Sequence, residues 1–201
     1  MKRSCMIFLL ILSLSAAAGN REMPRFTYGV EWSYIAFIHH GLHNNFYAPD
    51  GYRVDENSSD IRSGLNAEAS IHAGYNISDR WNLSVFLGYM GISGMHHAIP
   101  VSIRGTYYFR KNTNGDRWFA FTDLGSGVCL TSRPQEILTA KIGAGYRIPL
   151  SRRVKLDLKA DARIIYTHPE VIYYNDTIHW DSVNRNNAYL SGISVGIGLT
   201  F

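Results

Sequence analysis

Seven of the eight histidines, His39, His40, His43, His96, His97, His168 and His179, fall in three stretches of the chain. Neutral imidazole is a common ligand for Zn, Cu or Ni. His39, His40 and His43 are close in sequence and His96 adjoins His97, so loops carrying them would offer a shared site for a metal or haem. The competing reading is that imidazole, like Tyr and Trp, suits a wet apolar boundary and ligates nothing. No fixed spacing such as HExxH occurs, so no cofactor is implied. Asp176, His179 and Asp181 lie together near the end of the chain, but no companion nucleophile accompanies them.

A second set is ionic. Glu31, Glu68, Asp123, Asp157 and Asp161 alternate with uncharged neighbours, as do Arg104, Lys141, Arg147, Lys155, Lys159 and Arg163. If they share one enclosed face, pairing relieves much of the cost of burying them. A third set is aromatic: Phe46, Tyr47 and Tyr52 in one polar stretch, Tyr173, Tyr174 and Trp180 in another. Aromatic anchors among Asn and Asp suit recognition of a protein or glycan; the same residues could instead pack on one another.

The elements that must position these groups are strands. Residues 26–37, 63–77, 81–90, 98–109, 117–130, 137–148, 154–166 and 189–201 each alternate, which puts successive side chains on opposite faces. In 154–166, Leu156, Leu158, Ala160, Ala162 and Ile164 face one way, and Lys155, Asp157, Lys159, Asp161 and Arg163 the other. Residues 117–130 alternate less cleanly, with Phe119 and Phe121 on the same side as Asp123. A soluble β-sandwich would also alternate, but its strands are commonly about 5–6 residues. Here the apolar stripes are nearly long enough to cross a bilayer, and aromatics sit near their ends.

The remaining features agree. Lys2 and Arg3, the apolar run 7–14 and Ala16-Ala17-Ala18 have the build of a cleavable signal peptide over 1–18, leaving 19–201 as one domain. The formal net charge is +4, falling to +2 without Lys2 and Arg3, too weak to suggest nucleic acid. Cys129 is then the sole cysteine, so no internal disulfide forms. No later run is long enough for a membrane-spanning helix.

Signal peptide, eight alternating segments and a terminal strand ending in Phe201 together resemble the small outer-membrane β-barrel family of the OmpA and OmpX kind. The resemblance spans the mature chain. It implies an all-β, eight-stranded, antiparallel up-and-down transmembrane barrel in the cell outer membrane, with outer-membrane lipid and lipopolysaccharide as its surroundings. It also implies recognition of Phe201 and its strand by the barrel-assembly machinery. In that family turns are periplasmic and long loops extracellular. This puts both termini in the periplasm, turns 78–80, 110–116 and 149–153 on that side, and connections 38–62, 91–97, 131–136 and 167–187 outside. A barrel of this size is filled by its own side chains, so the charged set is expected to plug the lumen; a conducting pore is the alternative. The expected role is structural or surface interaction through loops 38–62 and 167–187. An enzyme acting on lipid A acyl chains is the second class, although no His-x-Ser pair occurs and His72 alone falls in an expected strand, facing inward.

Overall fold

The computed structural model describes residues 25–61, 64–93, 96–111, 115–130, 135–174 and 176–201; the expected signal peptide lies outside them. Eleven strands are present: β1 (Phe26–Tyr47), β2 (Arg53–Asp60), β3 (Gly64–Asn76), β4 (Trp81–Ser93), β5 (His96–Tyr108), β6 (Arg117–Leu130), β7 (Gln135–Pro149), β8 (Lys155–Thr167), β9 (Ile172–Tyr173), β10 (Asp176–Thr177) and β11 (Val183–Thr200). Eight of them, β1, β3 to β8 and β11, form an antiparallel sheet that closes through β1 and β11. The backbone amides of Tyr28 and Phe201 each donate to the other's carbonyl, at 3.2 and 2.7 Å, and complete the seam. Closure leaves the eight-stranded barrel no free edge, which lipid could not satisfy; β2, beyond the barrel, keeps one.

Strand length suits a bilayer. A 13-residue strand such as β3, at about 3.3 Å per residue and tilted about 40°, rises about 33 Å against a hydrocarbon core of about 30 Å. The outer face is apolar and bare: Ile142 is 68% exposed, Leu124 64% and Val195 61%. An apolar band on every strand is poorly matched to water and well matched to lipid. Aromatic pairs rim it at both ends. At the turn end Tyr28 stacks on Phe201 at 5.5 Å, while Trp81 meets Tyr107 and Trp118 meets Tyr146, each at 5.0 Å.

Two of the tight turns share one device. Ser78 Oγ accepts from the amides of Arg80 and Trp81, and Ser151 Oγ accepts from those of Arg153 and Val154. These side chains hold the turns β3–β4 and β7–β8.

The opposite end differs from the sequence expectation. Connection 38–62 is not a loop: β1 runs on to Tyr47, 22 residues in all, and returns as β2. Pro49, Asp50 and Gly51 turn the hairpin, Gly51 at φ 84°, where a side chain would be strained. Connection 167–187 is likewise structured, holding β9, β10, a 3₁₀ turn over Trp180–Ser182 and the start of β11. Alternation failed to mark this hairpin because Ile38 is a bulge. Phe37 pairs with Gly192 and His39 with Ser191, so Ile38 has no partner on β11. Below it the odd-numbered side chains of β1 point inward; above it the even-numbered ones do.

Candidate functional site

The lumen is built in layers. In the middle, two chains of charge form from inward positions on six strands. Lys159 Nζ binds Glu31, and Arg104 Nη1 donates to both Glu31 oxygens at 2.9 Å while its Nη2 pairs with Asp123 at 3.0 Å. Lys141 Nζ reaches Glu68 at 2.7 Å, Arg163 Nη1 reaches the same carboxylate at 2.6 Å, and Arg163 Nη2 pairs with Asp161 at 3.0 Å. Each chain holds two cations and two carboxylates, so each is neutral. Arg104 also lies over the Phe86 ring at 3.9 Å and near Phe121 at 4.6 Å. Two glycines make room for this packing: a Cβ on Gly143 would lie 2.6 Å from Phe121 Cζ, and one on Gly145 2.3 Å from Phe119 Cζ.

Toward the crown end the lumen turns apolar. Ile35, Phe37, Met90, Ile92, Ala98, Cys129, Ile137, Ile165 and Leu190 form one buried cluster. Sequence reasoning missed it, because apolar residues were assigned to the outer face. The signal was present: Ile35 and Phe37 continue the parity of Glu31 and Ser33.

Toward the turn end lies a third layer. Arg147 makes a two-pronged contact with Asp157, both bonds at 2.6 Å, and donates to Thr200 Oγ1 at 3.2 Å. Arg117, also overlooked in the sequence, is 1% exposed and lies over the Tyr108 ring at 3.7 Å, with Arg147 4.9 Å from the same ring. Its parity with Phe119 and Asp123 marks it as inward. Its Nη1 donates to the Asp79 carbonyl at 3.2 Å, while Nε and Nη2 are buried without a partner. An unmet buried donor costs about 1–3 kcal/mol. Lys155 is buried nearby, and no carboxylate among the described residues forms an ion pair with it.

Above the barrel, the two long connections build a crown with a core of its own. Phe46, Ala48, Val171 and Ile178 are buried together, with Val54, Tyr173 and Val183 against them. Phe46 pairs in register with both Val54 and Val183. The opposite face of the hairpin is polar: Asn45 Nδ2 donates to Asp55 at 2.8 Å, Arg53 Nε to Asn45 Oδ1 at 3.0 Å, and His43 Nε2 meets Asp55 Oδ1 at 2.9 Å. Of the aromatics picked out in the sequence, Phe46 is core, Tyr173 packs on it at 5.4 Å, and the Tyr52 and Tyr173 hydroxyls are hydrogen-bonded to each other. That hydrogen bond, more than desolvation, raises the Tyr173 phenol above its ordinary value. Tyr47, Tyr52, Tyr174 and Trp180 stay exposed on the surface.

The histidines whose side chains are described do not converge. Five of them, His39, His40, His43, His96 and His97, lie in strands rather than loops, so His72 is not alone there. His39 stacks on Tyr189 at 5.6 Å and accepts from or donates to Ser59 Oγ at 2.9 Å; His97 stacks on Tyr89 at 5.3 Å. His40 alternates to the face opposite His39. His168 meets Tyr166 edge-on at 5.0 Å, and His179 pairs with Asp181 at 3.3 Å. Among the described residues no three His, Cys, Asp or Glu side chains are placed to hold a metal ion. His39, His97 and His168 instead complete the aromatic rim at the crown end. His72, inward as expected, stacks on Phe86 at 4.7 Å.

No protein-family model matches the sequence, and no curated protein sequence matches it. Solved structures do. The outer-membrane protein OprG of Pseudomonas aeruginosa aligns with a TM-score of 0.52 at 8% identity, over 90% of this chain and 99% of that one. The N-terminal β-barrel domain of Pseudomonas aeruginosa OprF aligns at 0.43 and 16% identity, over 86% and 97%. Neisserial surface protein A aligns at 0.41 and 16%, over 88% and 97%. The chain has the fold of the small outer-membrane β-barrels, an eight-stranded closed antiparallel sheet.

Proposed function

We propose that the protein sits in the outer membrane with its termini and tight turns in the periplasm, presents its crown to the exterior as an interaction surface, and conducts no ions. The observation that carries this reading is the crown's own core. The Phe46, Ala48, Val171 and Ile178 cluster ties two distant connections into one body. A preorganised surface loses less conformational freedom on binding than free loops do. On it Trp180 is 70% exposed and Tyr174 84%, among acidic residues that include Asp50, Asp176 and Asp181. Large exposed aromatics beside carboxylates suit a basic protein segment or a glycan. The lumen supports a closed barrel. Neutral charge chains lie beneath an apolar layer, so a permeating ion would meet both a salt-bridge network and a dry constriction.

The barrel in lipid nanodiscs, tested against glycan arrays and a panel of basic peptides, is expected to retain a ligand that the Trp180→Ala/Tyr174→Ala variant does not. Equal retention by both would end the crown reading. Planar-bilayer recording is expected to give no stable large open state; such a state would end the closed-lumen reading.

A further inference from the structure

The lumen's charges balance except at the turn end. Glu31 and Asp123 are matched by Arg104 and Lys159, Glu68 and Asp161 by Lys141 and Arg163, and Asp157 by Arg147. Among the described residues two buried cations remain, Arg117 and Lys155, and both lie at that end. The register puts Arg117 directly across from Arg147, and Lys155 beside Pro149 and Thr200 on neighbouring strands. Like charges facing each other across a sheet destabilise it unless something between them is negative. Asp157 and Asp79 act on the Arg117 charge from a distance, but no carboxylate among the described residues forms an ion pair with it. Asp157 is committed to Arg147, Asp79 offers Arg117 its carbonyl, and Asp116 accepts from Tyr146 at 3.1 Å. The unpartnered edge of Arg117 is the one formed by Nε and Nη2. That edge presents two parallel N–H groups, the fork that grips two oxygens of one anion. In or beside the turns at this end of the barrel, Arg25, Arg80, Arg110, Lys111, Arg152 and Arg153 outnumber Asp79 and Asp116, a field that draws anions in.

We infer that the turn end of the lumen binds a phosphate group, gripped by the Nε–Nη2 edge of Arg117, with Lys155 supplying the second positive charge. Two spare cations match the charge of doubly ionised free phosphate in full and that of a singly charged phospholipid phosphodiester in part. The source is free phosphate or the headgroup of an anionic phospholipid; that the end is periplasmic rests on the orientation proposed above, while binding itself does not.

The test uses the intact barrel in two arms. In zwitterionic phosphatidylcholine nanodiscs, inorganic phosphate is titrated by calorimetry. Separately, native mass spectrometry counts phosphatidylglycerol retained from nanodiscs of mixed phosphatidylcholine and phosphatidylglycerol. Saturable one-to-one phosphate binding, weakened roughly tenfold or more by Arg117→Gln and by Lys155→Gln, supports the site and a free-phosphate source. Retention of phosphatidylglycerol that either variant abolishes, without phosphate binding, supports the site and a headgroup source. Wild type and both variants behaving alike in both arms overturns it. Heat-modifiable electrophoretic mobility verifies folding of each variant, and Lys155→Gln carries the test if Arg117→Gln does not fold.

Discussion

Replacing Arg104 by methionine asks whether the charged middle of the barrel is dry. The side chain is buried, and it serves two carboxylates at once: Glu31 through Nη1 and Asp123 through Nε and Nη2. Methionine keeps much of the apolar stem against Phe86. Glu31 keeps Lys159 as a partner, so its loss is partial. Asp123 is different. It is 0% exposed, Oδ1 is already unpartnered, and its cross-strand neighbour Lys141 is engaged by Glu68 at 2.7 Å. Arg104→Met therefore leaves one carboxylate buried and alone, a loss of about 3–5 kcal/mol. Removing that charge as well, in Arg104→Met/Asp123→Asn, should return part of the loss and leave about 1–3 kcal/mol. Guanidinium unfolding of the refolded barrel in vesicles, followed by tryptophan fluorescence, measures both. The reasoning fails if the single variant loses less than about 1 kcal/mol, as a well-hydrated lumen would allow, or if the double variant is the less stable of the two.

Four further outcomes are expected. Gly143→Val forces a side chain against the Ala160 carbonyl at 2.4 Å and Phe121 Cζ at 2.6 Å; it should slow refolding and cost about 1–3 kcal/mol or more in the same unfolding assay. Phe46→Ala empties the crown core, worth about 3–5 kcal/mol there; limited proteolysis should cut the crown faster while the barrel keeps its heat-modifiable mobility. Cys129 lies in the apolar layer and should react with a maleimide only after unfolding, as mass spectrometry of native and denatured samples would reveal. Deleting Phe201 removes the Tyr28 stack and two seam hydrogen bonds, and should lower the folded fraction in a timed refolding assay; unchanged yield would disprove a role in closure.

Much of the barrel was legible because lipid and lumen impose opposite demands on alternate residues. Where that contrast holds, as in Lys155 to Tyr166, strand and facing can be read together. It fades where both faces want the same thing. Ile35 and Phe37 face inward yet are as apolar as Tyr34 and Ile38 beside them, so the upper lumen was invisible to a rule that sends apolar residues out. It also fades where neither face touches lipid. His43, Asn44 and Asn45 read as loop, although backbone pairing to β2 and β11 makes them strand. Arg117 was lost at an element boundary, next to polar turn residues. The charged residues of the lumen could be named from parity, but which pairs form depends on how strands circle the barrel. Glu31 and Arg104 meet from β1 and β5, which are not hydrogen-bonded neighbours.

The bulge at Ile38 makes the crown and the barrel follow different reading rules on one continuous strand. Deleting that single residue would leave Glu31 and Ser33 where they are. Above it, the facing would survive too, because Phe37 and His39 already pair with consecutive residues of β11: His40 and Phe46 would stay inward on an uninterrupted ladder. A single insertion or deletion elsewhere in upper β1 would instead invert the parity, so that Phe46 swung out and Asn45 was driven into the crown's core, unless a further bulge took it up. A crown grafted from His39 onward onto an unbulged strand of another barrel would arrive the right way round, whereas one grafted from Ile38 would need the bulge with it or arrive inside out.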